Sequence, residues 1–431
     1  MDALEYLFGL EALGMRFGLD TIRAICAALG NPQRTYPRVI IGGTNGKGSV
    51  VAMVDAALCA AGRRPGRYTS PHLTRLEERF QIAGCEVETD ALRRVAADVR
   101  DAIEALVADG DLTARPTFFE ATTAVGFELF RRAHVDLAVL EVGLGGRLDA
   151  TNVDPAAVAA ITRIDLDHQQ LLGERLVDIA REKAGIIQPG TIVVLGENPP
   201  EVSLVVSEVC GARGATLVRC GPAPAVTMDE GHARLALRWP ERDLGEVRLG
   251  LRGRHQADNA VVAARVLDVL EIGGMAVPPE AMVAGLATVR WPGRLELLAV
   301  PGGKVLLDGA HNPSGARALA AYLGEWHPGG VPIVFGVLGD KDAVGMLAAL
   351  APVASAFVLT RAPNPRAASA DLLAGPARAV RPDVPVDVCD DPGEALERAI
   401  GRAPLVCVAG SLYLVGDIRA RLVRAGAEPL A

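Results

Sequence analysis

A β-branched run, Val39-Ile40-Ile41, leads into Gly43-Thr44-Asn45-Gly46-Lys47-Gly48-Ser49 and then into an Ala/Val-rich stretch of helical periodicity from Val50 to Ala61. Strand, glycine loop and helix in this order are the context of a phosphate-binding loop. Glycines let backbone N–H groups curl around phosphate oxygens, the helix N-terminus adds partial positive charge, and a lysine neutralises the outer phosphates. The strict pattern G-x-x-x-x-G-K-[ST] is not met: position 41 is Ile, and Gly48 separates Lys47 from Ser49. A glycine turn before a helix is the bland alternative for such a segment. The register of all three parts favours the phosphate reading.

The alternation continues along the chain. Strand-like runs at Val39–Gly42, Val135–Glu141, Ala156–Thr162 and Thr191–Leu195 are separated by helical stretches near 119–132 and 174–187. Runs apolar on both faces between helices specify a mostly parallel sheet with helices on both sides. From about 220 to 254 the texture changes to short alternating runs, Ala233–Trp239 and Glu246–Leu251, which read as a β-rich appendix on the first domain. A helix is expected from about Asp258 to Glu271. Pro292-Gly293 then interrupts the pattern, and alternation restarts with strands near 304–308, 331–337, 355–360, 384–389 and 404–409. The expected fold is α/β: a P-loop-containing, mostly parallel domain over 1–294, followed by a smaller Rossmann-like α/β domain over 295–431.

Bulk properties narrow the function. A net charge of −8 argues against a general nucleic-acid or membrane-surface binder, so an anionic ligand must be held by local Lys, Arg, metal and helix termini. The seven cysteines form no C-x-x-C pair and read as reduced thiols. The first residues lack the basic and apolar regions of a signal peptide, and no apolar run is long enough to span a bilayer. A cytoplasmic chain is expected.

Glu141, ending a buried strand before Gly143-Leu144-Gly145-Gly146, stands where open α/β sheets bind ligands and reads as a ligand for nucleotide-bound Mg²⁺, or else as part of a glycine-rich turn. Asp165-Leu166-Asp167-His168 follows the next strand at the same edge. Ser70-Pro71-His72-Leu73 is by itself a turn, and Lys183, on a helix, is by itself a solvated side chain. Asp308-Gly309-Ala310-His311-Asn312-Pro313 ends a strand of the second domain and reads equally as a nucleotide contact or as a turn.

The order of these segments is more informative than any one of them. Gly43–Ser49, Thr69–Leu73, Phe119-Glu120, Glu141–Asn152, Leu166–His168, Glu182–Ile186, His255-Gln256-x-x-Asn259-Ala260, Pro292–Glu296, Asp308–Pro313, Asp340–Asp342 and Gly410–Tyr413 together closely resemble the folylpolyglutamate synthase/dihydrofolate synthase family, within the Mur ligase superfamily. The extra glycine after Lys47 is that family's own form of the loop.

The resemblance implies an ATP-dependent ligase. It activates the carboxylate of dihydropteroate or a reduced folate as an acyl phosphate and joins L-glutamate to it. Lys47, His168 and Lys183 would be catalytic. Thr44, Asn45, Gly46, Lys47, Gly48, Ser49, Asn259, Arg294 and Asp308 would bind ATP. Ser70, Glu141, His168 and, if carbamylated, Lys183 would hold two Mg²⁺ ions. Thr117, Phe119, Asp149 and Ala150 would line the pterin-substrate pocket, with His311 and Ser411 orienting glutamate. A monomer without nucleic-acid or membrane partners is implied. After His168 many relatives carry Thr-Glu-Phe-Leu-Gly, whereas this chain has Gln169-Gln170-Leu171-Leu172-Gly173.

Two alternatives fit less well. A Mur ligase acting on a nucleotide-linked peptide needs a nucleotide-binding domain before the glycine loop, where only about 40 residues stand. A non-catalytic P-loop switch of the GTPase type would show Asn-Lys-x-Asp after a strand, and the sequence has none.

Overall fold

A computed structural model describes residues 2–14 and 16–430. The chain clusters into two compact units: 1–224 with 236–247 and 258–289, and 290–431 with 225–235 and 248–257. The stretch read as an appendix therefore divides between them. It forms a three-stranded sheet of Thr227–Asp229, His232–Trp239 and Arg242–Arg252.

The first unit is built on an eight-stranded sheet. Its spatial order is Cys85–Glu86, Phe80–Ile82, Pro65–Tyr68, Leu137–Glu141, Arg38–Gly42, Val158–Ile161, Ile192–Leu195, Thr216–Arg219. The six strands from Pro65–Tyr68 onward are parallel, and the first two form an antiparallel edge. All five residues of both Arg38–Gly42 and Leu137–Glu141 are buried, as the two-sided apolar runs require.

From Arg38–Gly42 the chain moves to one side for Pro65–Tyr68 and Leu137–Glu141, and to the other side from Val158–Ile161 onward. The strand order thus reverses at the strand that feeds the glycine loop, where open α/β sheets bind ligands. Helix Lys47–Ala60 covers one sheet face with helix Pro279–Thr288 packed on it. On the opposite face, Tyr68, Ala138 and Leu140 share a core with helices Thr89–Ala108 and Phe118–Arg132, while Ala159, Ile161 and Val193 pack with Ile179 and Val202.

Helix Thr89–Ala108 was not anticipated above, although its buried Leu92, Val95, Ala96, Val99 and Ile103 repeat at helical spacing.

The second unit carries a seven-stranded sheet in the order Val386–Val388, Ala354–Leu359, Val331–Phe335, Leu405–Ala409, Gly303–Leu307, Glu296–Val300, Glu428–Pro429. The first five are parallel, and the last two add an antiparallel edge. Its core, centred on Leu306, Ile333, Phe335, Phe357 and Cys407, lies beneath helices Pro313–Trp326, Ala343–Leu350 and Ala370–Val380.

Candidate functional site

The glycine loop is anchored by the next strand over. Thr44 N and Asn45 N donate to Arg163 O at 2.9 and 3.2 Å, and the Thr162 hydroxyl donates to Asn45 O at 2.7 Å. Thr44 Oγ1 donates to Asp165 O and accepts from Asp165 N, at 3.0 and 3.1 Å. The loop is thus fixed from outside, and its remaining N–H groups stay oriented at the start of helix Lys47–Ala60.

Gly46 caps that helix at φ 89°, and a Cβ on it would lie 2.2 Å from Asn259 Oδ1. Glycine is required both for the left-handed conformation and for the approach of Asn259. Lys47 Nζ folds back onto the loop, donating to Gly43 O (3.2 Å) and Thr44 O (3.0 Å). Gly48 and Ser49 continue the first helical turn, buried.

Three strand ends converge beside this loop. Parallel register sets Glu141 level with Ile41, and Tyr68 level with Leu140. Ser70 leaves its strand two residues after Tyr68, and its N–H donates to Glu141 Oε2 at 3.2 Å. Lys183 ends helix Leu176–Lys183, is only 5% exposed, and donates from Nζ to Gly43 O at 2.8 Å. Gly43 O therefore accepts from both Lys47 and Lys183, residues 136 positions apart by their numbers.

His168 adopts φ 50°, a left-handed conformation for a residue with a side chain, at the start of the short helix Gln169–Leu172. Its N–H donates to Asp167 Oδ1 at 2.9 Å, and Nε2 lies 3.9 Å from Asp167 Oδ2. Non-glycine residues held in this region concentrate at functional sites.

Among the described residues no three His, Cys, Asp or Glu side chains converge as a metal cage. The Glu141 carboxylate and Ser70 hydroxyl are hard oxygen donors. They fit Mg²⁺, which typically takes one or two protein oxygens and completes its shell with phosphates and water.

The loop after Glu141 is braced from within. Asp149 accepts from Gly143 N (3.0 Å), Leu144 N (2.9 Å), Thr151 N (3.0 Å) and the Thr151 hydroxyl (2.6 Å). Burial raises its pKa, and these four donors oppose the rise. Asp149 is thus the pin of its loop, with neighbouring Ala150 buried beside it. Asn152, which sequence reasoning did not single out, donates to Gly146 O (3.2 Å) and Gly185 O (3.0 Å), tying this loop to the segment after Lys183. The signal for it was slight, since an Asn after a turn is common. Phe119 packs near Tyr68, ring centroids 6.1 Å apart, and Thr117 caps helix Phe118–Arg132 in a reciprocal box with Glu120. Beside them Arg79 lies over the Phe118 ring at 5.1 Å and donates to His72 Nδ1 at 2.9 Å.

The second unit assembles its own cluster. Asp308 accepts from Leu295 N (3.0 Å) and Ala310 N (2.9 Å). Burial raises its pKa, opposed first by the Arg294 charge and then by these N–H groups. A Cβ on Gly309 would lie 2.0 Å from Arg294 Nη1, so this glycine makes room for the guanidinium. Gly293 N donates to Glu296 Oε2 at 2.8 Å, and Glu296 is held by Arg419 Nε at 2.9 Å. Between these clamps Leu295 sits at φ 45°. His255 is neutral beside them, its pKa lowered to about 4 by burial and then by Arg294. His311 Nδ1 lies 2.9 Å from Gly309 O, and Ser411 caps helix Leu412–Arg424 by accepting from Tyr413 N at 3.2 Å.

A glycine loop at the switch point of a parallel sheet, with a carboxylate and a buried lysine at its mouth, followed by a second α/β unit, defines an ATP-dependent amide ligase of the Mur type. Residues 293–412 match the family described as Mur ligase, glutamate ligase domain. The chain is 41% identical over 378 residues to a dihydrofolate synthase/folylpolyglutamate synthase of Mycobacterium tuberculosis, covering 83% of this chain and 76% of that one. A solved structure of Mycobacterium tuberculosis folylpolyglutamate synthase complexed with ADP superposes at a TM-score of 0.90, with 35% identity and full coverage of both chains. A structure of Escherichia coli FolC in complex with DHPP and ADP gives a TM-score of 0.85 at 30% identity, covering 99% of each chain. The chain belongs to the dihydrofolate synthase/folylpolyglutamate synthase family.

Proposed function

We propose that this chain uses ATP to phosphorylate the carboxylate of a dihydropteroate or reduced-folate substrate and then joins L-glutamate to it. In the first step a carboxylate oxygen attacks the γ-phosphorus and ADP leaves. In the second, the glutamate amine attacks the acyl carbon, phosphate leaves, and the amine loses a proton. A carboxylate is a poor acyl donor until its oxygen becomes a good leaving group, which is why ATP is consumed. The observation that carries this reading is the convergence of Lys47 and Lys183 on Gly43 O, just beyond the end of the strand that pairs with Glu141. Phosphoryl transfer needs placement and charge neutralisation more than a protein nucleophile, and these groups supply both.

In this reading Thr44 to Ser49 cradle the β/γ-phosphates, and Lys47 swings from the loop carbonyls onto phosphate oxygens. Asn259, already against Gly46, contributes to nucleotide binding. Ser70, Glu141 and His168 hold Mg²⁺, which when bound neutralises phosphate charge. Lys183 is carbamylated to serve a second ion: its amine adds to CO₂ and releases a proton. The carbamate nitrogen keeps one N–H, which suits the bond to Gly43 O. Arg294 and Asp308 are ATP-binding residues in this reading, with the C-terminal domain taken as 295–431. Thr117, Phe119, Asp149 and Ala150 shape the pocket for the pterin-bearing substrate, and His311 and Ser411 orient glutamate. A monomer in the cytoplasm accords with seven free thiols.

The test is phosphate release with ATP, Mg²⁺ and L-glutamate, run separately with dihydropteroate and with tetrahydrofolate. Turnover on both is expected. Turnover on one alone assigns the substrate, and turnover on neither sinks the reading.

A further inference from the structure

Helix Lys47–Ala60 and strand Pro65–Tyr68 are joined by a deeply buried ion pair. Arg67 Nη1 lies 3.2 Å from Asp55 Oδ2, with the two side chains 9% and 3% exposed. Buried pairs of this kind rarely add stability over apolar side chains of the same volume, because desolvation offsets their attraction. The position of this pair points to a role besides stability.

The sheet register suggests one. Arg67 pairs with Val139, and alternate residues along a strand share a face. Arg67 and Glu141 therefore lie on the same face of neighbouring strands, two positions apart, under the helix that carries Asp55. The Glu141 charge reaches Arg67, although Asp55 dominates the charges acting on it, with Cys59 and Glu86 also near. Burial pushes the Asp55 carboxyl up to about 6, opposed by Arg67, so the pair sits in a medium where charges act strongly. Strand Pro65–Tyr68 leads directly to Ser70, whose N–H holds the Glu141 carboxylate.

We propose that the Asp55–Arg67 pair sets the charge seen by Glu141 and thereby the affinity of the site for a divalent cation. The inference rests on the reading of Glu141 as a metal-holding residue. With Asp55 ionised, Arg67 is neutralised from the helix side and the local charge of the three groups is −1. The Glu141 charge is then available to a cation. Making Asp55 neutral leaves 0, with Arg67 attracting Glu141. Making Arg67 neutral leaves −2. Making both neutral restores −1. Asp55 and Arg67 act through Glu141 and are positioning residues.

The experiment measures Mn²⁺ binding to the ADP-loaded enzyme by electron paramagnetic resonance, with a thermal unfolding scan on each variant. Asp55→Asn is expected to weaken Mn²⁺ binding by about tenfold, the scale of one nearby buried charge. Arg67→Gln should bind Mn²⁺ at least as tightly as the wild type despite lower thermal stability, and the Asp55→Asn/Arg67→Gln double variant should return to near wild-type affinity. Equal weakening in both single variants without recovery in the double would overturn the proposal and leave the pair purely structural. Glu141→Gln separates the two readings. If it leaves Mn²⁺ binding intact, the metal-holding reading itself fails. If it abolishes binding while Asp55→Asn changes nothing, only the charge-setting role fails.

Discussion

Lys183 Nζ lies 2.8 Å from Gly43 O in a nearly dry position, so its chemistry is tied to the glycine loop rather than to solvent. Lys183→Ala removes both that bond and any carbamate, and ligation should fall on the order of 10²–10³-fold, the scale seen when one preorganised electrostatic group is lost. Partial recovery is expected when a small carboxylate is added. Lys183→Arg keeps the charge and the donor but cannot form a carbamate, and it should be as inactive as the alanine variant. Near-normal phosphate release from the arginine variant would remove the carbamate role. At Gly46 the constraint is steric. An alanine there meets a left-handed φ that costs about 1–2 kcal/mol, and its Cβ meets Asn259 Oδ1 at 2.2 Å. Gly46→Ala should weaken ADP binding by about tenfold or more, since each 1.4 kcal/mol is a factor of ten. Titration calorimetry checks it, and unchanged affinity would contradict the placement of Asn259 on the loop.

Helix Phe118–Arg132 begins with Thr117 N and Oγ1 both on Glu120 Oε2 at 2.8 Å, and Glu120 N on Thr117 Oγ1 at 3.2 Å. Thr117→Ala should lower stability by about 1 kcal/mol through loss of the cap and raise the KM for the pterin substrate, while Thr117→Ser should preserve both. An alanine variant with normal denaturant midpoint and normal KM would dismiss the cap as the device that shapes this pocket wall. Such local devices are legible in sequence: a Thr-x-x-Glu pattern before an apolar run, or a β-branched run before a glycine loop, declares itself within a few residues. The central parallel strands were legible for the same reason, being apolar on both faces, whereas the parallel edge strand Thr216–Arg219, with no buried residue, was missed. The antiparallel edges Phe80–Ile82, Cys85–Glu86 and Glu296–Val300 were not, since short half-exposed strands carry little pattern. Least legible were long-range pairings. A lysine on a helix reads as solvated, and only the fold brings Lys183 to Gly43, 140 residues away. Asp149 likewise read only as a pocket position, and the four hydrogen bonds by which it also braces its own loop become visible only in the fold.

Across the whole molecule, burial sets the response to acid. His72 in the first unit and His232 and His255 in the second are all held neutral with pKa values of about 4, burial being the leading cause in each case. Unfolding restores each to about 6.5, so the unfolded chain binds more protons than the folded one between those values. The stability due to neutral burial is complete above about pH 6.5 and is lost as pH falls toward 4. At about 1.4 kcal/mol per pKa unit each histidine contributes at most about 3 kcal/mol over that window, against the 5–15 kcal/mol typical of a domain. With two of the three in the smaller unit, that unit should lose stability more steeply on acidification. His232 is the position at which to test this. It is 3% exposed, its Nδ1 lies 2.9 Å from Leu249 O, and it lies outside the proposed substrate contacts. His232→Asn offers an amide donor for the same carbonyl without a titrating group. Denaturant unfolding of the wild type should show a falling midpoint from pH 7.5 to 5, and the asparagine variant a shallower fall over the same range. A flat wild-type profile, or identical slopes in the two proteins, would show that these buried imidazoles do not govern acid stability.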